Sequence, residues 1–416
     1  MRERRGEERE RVMDIMPQML AGEALDAALR IAPDYDERIR GAAETERLIA
    51  LQDLYNEYIP TEMSREIYAR LYLALHRSMT KKQSLLAVRQ FSENQNRIKG
   101  RAFTSIMGGT DSLTIIGESG IGKSAAVSRV MDLISGGRII ELPNSMRIIP
   151  CVQVQTPADC SIKGLLFEIL RKVDEIFGSR YYYNAARSGA TTDMLIGSVS
   201  TVVLNHIGLL VVDEIQNVVN SKNGITVVGT LTQLINNAGI SICMVGTPKS
   251  ALFFSQEMML ARRSLGLSYG PFACDETFAG FCRELFRYQY TREWNRMDNA
   301  LLQWLYNHSL GNAAVVVSLI HDAQELSILD GYEKLDIVSL EKAYQNRMGM
   351  LHGYLYQEVV RNRKPAKVKK QAAFGNVMEE AEQSLVSETA ARSKRIKKDI
   401  IDELMDQGIS VSEVSV

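Results

Sequence analysis

The chain has 416 residues, 45% of them hydrophobic and 24% charged, with a formal net charge of −1. That length leaves room for two or three domains, and the near-neutral balance excludes a globally basic nucleic-acid binder, so any nucleic-acid contact must come from local patches. Five cysteines without a C-x-x-C pair argue for reduced thiols rather than zinc or disulfides, and no apolar run reaches transmembrane length.

The N-terminus, Met1-Arg2-Glu3-Arg4-Arg5, leads into more charge rather than into the apolar core of a signal peptide, so a cytoplasmic location and no membrane partner are expected. Residues 1–58 read as helical. Met13, Ile15, Met16, Met19 and Leu20 are apolar, and Leu25, Ala28 and Leu29 recur at helical spacing. Pro33 breaks the pattern, and a second helix is expected from Asp36 to Tyr58. The segment reads as an appendage before the main domain, either a docking surface or a solvated helical pair. Tyr58-Ile59-Pro60 marks a turn. Thr61, with Ser64 three residues on, is placed to cap a helix through Tyr68, Leu71, Leu75 and His76. A further helix is expected over Lys82 to Lys99.

Leu113-Thr114-Ile115-Ile116 is apolar and β-branched, which suits a buried strand. It runs into Gly117-Glu118-Ser119-Gly120-Ile121-Gly122-Lys123-Ser124, the G-x-x-x-x-G-K-S phosphate-binding pattern. Helix-forming residues follow to Ile134, closed by Gly136-Gly137. The chemistry requires this strand–loop–helix context. Glycines let backbone amides converge on phosphate oxygens, and the helix start favours an anion. Lys123 would reach the β- and γ-phosphates and Ser124 would hold Mg²⁺.

Strands and helices then alternate: a strand over 148–154, helices over 161–177 and 192–207, a strand over 209–212, a helix over 227–237 and a strand over 240–245. Continuous apolar strands in such an alternation argue for a parallel sheet covered on both faces. From 277 to 350 the strand signals stop. Thr277–Thr291, Asp298–Tyr306, Ala313–Leu329 and Ser339–Arg347 read as the helices of a small domain, with Trp294 and Trp304 in its core. Beyond it, the basic runs 361–370 and 392–398 suggest a flexible tail.

The strand Leu209-Leu210-Val211-Val212 delivers Asp213 and Glu214 at its C-terminal end, where ligands bind in open α/β sheets. Asp213 would orient Mg²⁺ or its waters, and Glu214 would polarise an attacking water. Thr247 follows the next strand. It either turns the chain before Pro248 or lies beside the γ-phosphate. Arg262 and Arg263 are either a surface pair or arginines offered to a neighbouring subunit's nucleotide.

The pattern of Gly117–Ser124, the stretch 152–164, Leu210–Asn217 ending Asp213-Glu214-Ile215-Gln216-Asn217, Val245-Gly246-Thr247-Pro248 and Leu260-Ala261-Arg262-Arg263 resembles the TnsC/TniB family of AAA+ transposition regulators over roughly residues 58–350. The resemblance implies an α/β AAA+ P-loop NTPase domain (59–275), a helical lid domain (276–356), the helical N-terminal appendage (1–58) and a basic, flexible tail (357–416). It implies ATP and Mg²⁺ as cofactors and slow, regulatory hydrolysis. It also implies ring or filament assembly on duplex DNA, a transposase partner of the TnsB/TnsA type, and a target selector of the TniQ or TnsD type in a Tn-seven-like or CRISPR-associated transposon. Thr247 matches the sensor-1 position, and Arg262 or Arg263 the arginine-finger region. Lys163, Arg180, Arg187 and Lys222 occupy loops comparable to those that face DNA in the family, with contacts to phosphates expected to be salt-sensitive. Gly311-Asn312-Ala313-Ala314 departs from the pattern of many AAA+ proteins, which carry a sensor-2 arginine there. That points to ATP acting chiefly as an assembly switch. The alternatives are a replication-initiator or loader-type AAA+ protein and a signalling NTPase without DNA.

Overall fold

A computed structural model describes residues 16–83, 112–142, 147–159, 161–218, 229–231, 234, 240–250 and 264–348. All of these lie in the first of two compact units, Met1–His352 and Gly353–Val416. The helix expected over Lys82 to Lys99 begins inside the helix Glu62–Gln83, and the rest of it, most of the expected helix over 227–237, Lys222, Arg262, Arg263 and the basic tail fall outside the described residues.

Six strands form one sheet: β1 (Ser112–Gly117), β2 (Ile140–Glu141), β3 (Arg147–Gln155), β4 (Ile207–Asp213), β5 (Ser241–Gly246) and β6 (Ser264–Tyr269). Their order is β2-β3-β4-β5-β1-β6, and every pairing is parallel except β2 with β3. The strand that feeds the phosphate loop therefore lies between β5 and β6. Strand periodicity divides each central strand between two cores. Leu209, Val211, Cys243 and Val245 face one, and Leu210, Val212, Ile242 and Met244 face the other. That is why β4 and β5 read as unbroken apolar runs.

Helix α3 (Glu62–Gln83) and helix α4 (Lys123–Ser135) cover the first face through Leu71, Leu75, Met79, Val127 and Val130. Thr61 and Ser64 open α3 reciprocally: the Ser64 amide donates to Thr61 Oγ1 (3.3 Å) and the Thr61 amide to Ser64 Oγ (2.8 Å). Helices α5 (Ile162–Phe177) and α7 (Thr192–His206) cover the second face, with the short α6 (Tyr181–Arg187) between them.

The N-terminal segment is built into the body rather than appended to it. Helix α1 (Gly22–Leu29) buries Leu25 and Leu29 in the same core as α3 and α4, each worth about 2 kcal/mol by transfer. Arg129 of α4 donates to the carbonyls of Leu29 (2.8 Å) and Ala28 (2.7 Å), satisfying the C-terminal end of α1. The single helix expected from Asp36 to Tyr58 is instead a 3-10 turn (Glu37–Gly41), α2 (Glu44–Leu51) and a second 3-10 turn (Gln52–Asn56). Asp36 caps the first turn through the Arg38 amide (2.9 Å), and extended backbone at Ala42 and Ala43 restarts the chain before α2.

The helical region consists of α8 (Glu276–Phe286), α9 (Asn299–Ser309), α10 (Ala313–Leu329) and α11 (Ile337–Ala343). Helix α8 ends earlier than its apolar pattern suggests. The buried Gln289 side chain donates to the carbonyls of Phe286 (2.9 Å) and Asn295 (2.6 Å) and accepts from the Asn295 amide (2.9 Å), organising a loop where helix was expected. Trp294, expected in the core, is 55% exposed on that loop. Trp304 is held by Glu341 (3.3 Å) and stacks on His308.

Arg47 of α2 fastens the N-terminal segment to this helical region. It is 1% exposed and grips both Glu333 carboxylate oxygens (2.6 Å each) and the Tyr290 carbonyl (3.0 Å). Burial alone would raise the Glu333 pKa, but the hydrogen bonds from Arg47 and the Arg292 amide, with both guanidinium charges, hold it below the ordinary value. Replacing one member leaves the other buried without a counter-charge, so Glu333→Gln is expected to cost about 3 kcal/mol in a denaturant titration. The contribution is present at neutral pH and lost as pH falls below the carboxylate range, so the gap between wild type and E333Q should close in acid.

Candidate functional site: a nucleotide cavity at the sheet edge

Strands β1, β4 and β5 end at the same edge. There a cavity of about 460 Å³ is lined by Ser119 to Ala125, Asp213, Glu214, Gln216, Gly246 and Thr247, with Tyr55, Glu57, Tyr58, Ile59 and Met63 from the N-terminal segment. Phe272, Phe281, Leu285, Ala313, Ala314, Val317 and Ser318 complete it. The fold thus brings together the phosphate loop, the acidic pair and Thr247, which are far apart in sequence. Gly117 ends β1 and Glu118 follows it, and neither lines the cavity.

Lys123 is 8% exposed, and its Nζ donates to the Glu118 carbonyl (2.6 Å). Burial pushes its pKa down, opposed by the charges of Asp213, Glu214 and Glu118. Ser124 faces the cavity from the first turn of α4. Asp213 is buried at the end of β4. Its carboxylate accepts from the Glu214 amide (2.8 Å) and from Gln153 Nε2 (3.2 Å), so it is fixed in place before any ligand enters. The backbone at Glu214 adopts a left-handed φ of 56°, sparsely populated by residues other than glycine. The kink turns the chain off the strand and leaves the Glu214 carboxylate exposed beside the cavity.

Gln216 joins that carboxylate to the end of β5. Its amide nitrogen donates to Glu214 Oε2, and its carbonyl oxygen accepts from the Thr247 amide (3.2 Å). The Thr247 hydroxyl is shut off from solvent and has no hydrogen-bond partner. A buried hydroxyl without a partner costs about 1–3 kcal/mol, which a ligand oxygen would recover. A hydroxyl at Ser124 and a fixed carboxylate at Asp213 are the hard oxygen donors that suit Mg²⁺ shared with phosphates and water. The residues present therefore fit a triphosphate and its metal.

The helical region closes the phosphate loop from above. Gly311 opens α10 with φ 79°, where a Cβ would lie 2.1 Å from the Phe272 carbonyl oxygen, so only glycine fits. Asn312 caps α10 through the Val315 amide (3.4 Å) and donates to the Ser119 carbonyl (2.8 Å). Gly120, with φ 82°, lets it approach, since a Cβ there would meet Asn312 Oδ1 at 2.5 Å. The Ala314 amide adds a bond to the Gly120 carbonyl (2.9 Å).

Three sequence-derived basic residues lie away from this cavity. Lys163 is in the first turn of α5 and donates to the Ala190 carbonyl (3.2 Å); Arg180 precedes α6 and Arg187 ends it. All three are exposed, and Arg180 and Arg187 adjoin the exposed Tyr181, Tyr182 and Tyr183. Sequence reasoning missed Gln153, Gln216, Asn312 and the wall from Tyr55 to Ile59. Only the alternation of β3, which sets the polar Gln153 between the buried Val152 and Val154, offered a signal.

Residues 106–265 match the family model described as Bacterial TniB protein. The match agrees with a TnsC/TniB-type AAA+ ATPase and covers the phosphate loop, Asp213, Glu214 and Thr247. No curated protein matches the chain. Among solved structures, the Aeropyrum pernix ORC1 protein in complex with DNA is similar at 12% identity and a TM-score of 0.45, over 67% of this chain and 64% of that one. The chain thus spans less than two thirds of that protein's length. The Aeropyrum pernix ORC2 protein, in ADPNP–ADP complexes, is similar at 16% identity and a TM-score of 0.45, over 71% of this chain and 72% of that one. Cdc6p from Pyrobaculum aerophilum is similar at 13% identity and a TM-score of 0.40, over 64% and 66%.

Asn312 does two jobs, as a helix cap and as a tie to the loop. Asn312→Ala should cost about 1 kcal/mol of stability and raise hydrogen exchange at the amides of residues 119–122. Asn312→Ser keeps a cap, and should recover the stability without recovering the loop protection.

Proposed function

We propose that this chain is an ATP-dependent AAA+ regulator of transposition. It binds Mg-ATP in the cavity, assembles with further copies of itself as a ring or filament on duplex DNA, and connects a target-site selector to a transposase, in the cytoplasm. One observation carries the reading: the TniB match spans the stretch whose phosphate loop, acidic pair and Thr247 line one cavity.

The residue roles follow from the chemistry of the groups. The loop amides and Lys123 bind the phosphates; entry of a triphosphate replaces the internal bond from Lys123 to the Glu118 carbonyl. Ser124 and Asp213 would hold Mg²⁺, which when bound neutralises charge on the phosphates. Thr247 offers its unpartnered hydroxyl to the phosphate or the attacking water. Glu214 takes the water's proton. Its bond to Gln216 must loosen first, which makes turnover slow and leaves ATP acting mainly as an assembly signal. Arg262 or Arg263 of a neighbouring copy would complete the site. Lys163, Arg180, Arg187 and Lys222 would contact DNA phosphates, giving binding that is insensitive to sequence and weakened by salt.

Lys123→Ala is expected to abolish ATP-dependent retention of duplex DNA in a filter-binding assay; retention equal to wild type would refute the role of the cavity in assembly. Glu214→Gln should keep nucleotide binding while phosphate release falls by about a hundredfold or more, so that assemblies persist. Disassembly at the wild-type rate would remove Glu214 from the role of base.

A further inference from the structure

The cavity extends beyond the phosphate loop into a compartment walled by Tyr55, Tyr58 and Ile59 on one side and by Phe281 and Leu285 of α8 on the other. Flat aromatic and aliphatic walls of this kind suit a heterocyclic base. Within the same wall stands one acid, Glu57. Both of its carboxylate oxygens are shut off from solvent, and neither has a hydrogen-bond partner. Nearly all buried polar atoms are paired, so a side chain with two orphaned oxygens in a ligand cavity calls for a ligand.

The neighbouring charges do not supply the missing partner. Arg30 pairs with Glu284 (3.1 Å), and so does Arg287 (3.3 Å). Tyr288 and Tyr290 also lie within electrostatic reach of Glu57.

We propose that Glu57 reads the base of the bound nucleotide: its carboxyl accepts a hydrogen bond from the exocyclic amino group of adenine and donates one to the ring nitrogen beside it. The inference rests on the nucleotide reading above and gives it a base. Glu57 is suited to donate because burial, and then the Glu284 charge, push its pKa up to about 7 against the pull of Arg30 and Arg287. An ionised carboxylate is an acceptor only. It matches the adjacent donors of guanine and opposes the lone pair of adenine. The proton on Glu57 thus shifts preference toward adenine, and its loss shifts preference away.

The sign is therefore fixed. The ratio of ATP to GTP affinity should fall by up to roughly tenfold between about pH 6 and about pH 8. Taking the ratio cancels titration of the phosphates, which the two nucleotides share. Calorimetric titrations of ATP, GTP and inorganic tripolyphosphate into the full chain test this, with E57Q and E57M beside wild type. The amide of E57Q donates and accepts at any pH, so it should keep ATP binding and show a flat ratio. E57M removes the orphaned oxygens and should melt no lower than wild type, yet bind ATP about tenfold more weakly. A wild-type ratio that ignores pH, or E57M binding ATP as tightly as wild type, overturns the role of Glu57. ATP binding no tighter than tripolyphosphate also overturns it, while leaving the phosphate site standing. If none of the three binds, the nucleotide reading fails and this inference falls with it.

Discussion

A strand buried on both faces has no place for a charge until it ends. Strands β4 and β5 are covered by α3 and α4 on one side and by α5 and α7 on the other, so every residue from Ile207 to Val212 and from Ser241 to Val245 is buried. Polar chemistry is forced to the strand tips, and a parallel sheet puts those tips at one edge. Asp213, Glu214 and Thr247 stand there for that reason, opposite the loop that β1 feeds. The site is a boundary condition of the core rather than a feature added to it. The cost of the arrangement is local: a left-handed φ at Glu214 and an unpartnered hydroxyl at Thr247.

The edge alone is half a cavity. The other walls come from segments distant in sequence, the turn from Tyr55 to Met63 and the helices α8 and α10. These walls are tied directly to each other. Arg47 and Glu333 join α2 to the loop after α10, Tyr35 donates to the Gln289 carbonyl (2.8 Å), and Arg30 reaches Glu284 (3.1 Å). The N-terminal segment therefore holds the helical region over the phosphate loop, and a ligand between them touches both.

The sequence was most legible where one residue type does one job. A glycine loop before a lysine, a strand that ends in two acids, and a serine or threonine before a helix each name their structure. Legibility failed where the partner is remote. Residues 1–58 carry the spacing of a surface amphipathic pair, and nothing local reveals that Leu25 and Leu29 pack under α4 or that Arg47 meets Glu333. Strand β6, Ser264-Leu265-Gly266-Leu267-Ser268-Tyr269, is short and interrupted by glycine, so it lacked the apolar run that marked β4. Trp294 misled because size suggested burial, whereas the loop around Gln289 holds it outward. Gln216 and Glu57 went unread for the same reason: their meaning lies in what they do or do not bond.

Asn312 bears on how nucleotide state would be felt by the rest of the chain. The AAA+ pattern that the sequence resembles often carries an arginine near this point, and this chain has none in Gly311-Asn312-Ala313-Ala314. Here a neutral amide contacts the Ser119 carbonyl, and the Ala314 amide contacts the Gly120 carbonyl. The helical region thus follows the backbone of the loop rather than the charge upon it. On the proposed reading, filling the loop would fix α10, and through Arg47 and Arg30 the N-terminal segment, whether or not a phosphate is then lost. Such coupling reports occupancy better than hydrolysis, which suits the proposed use of the nucleotide as an assembly signal.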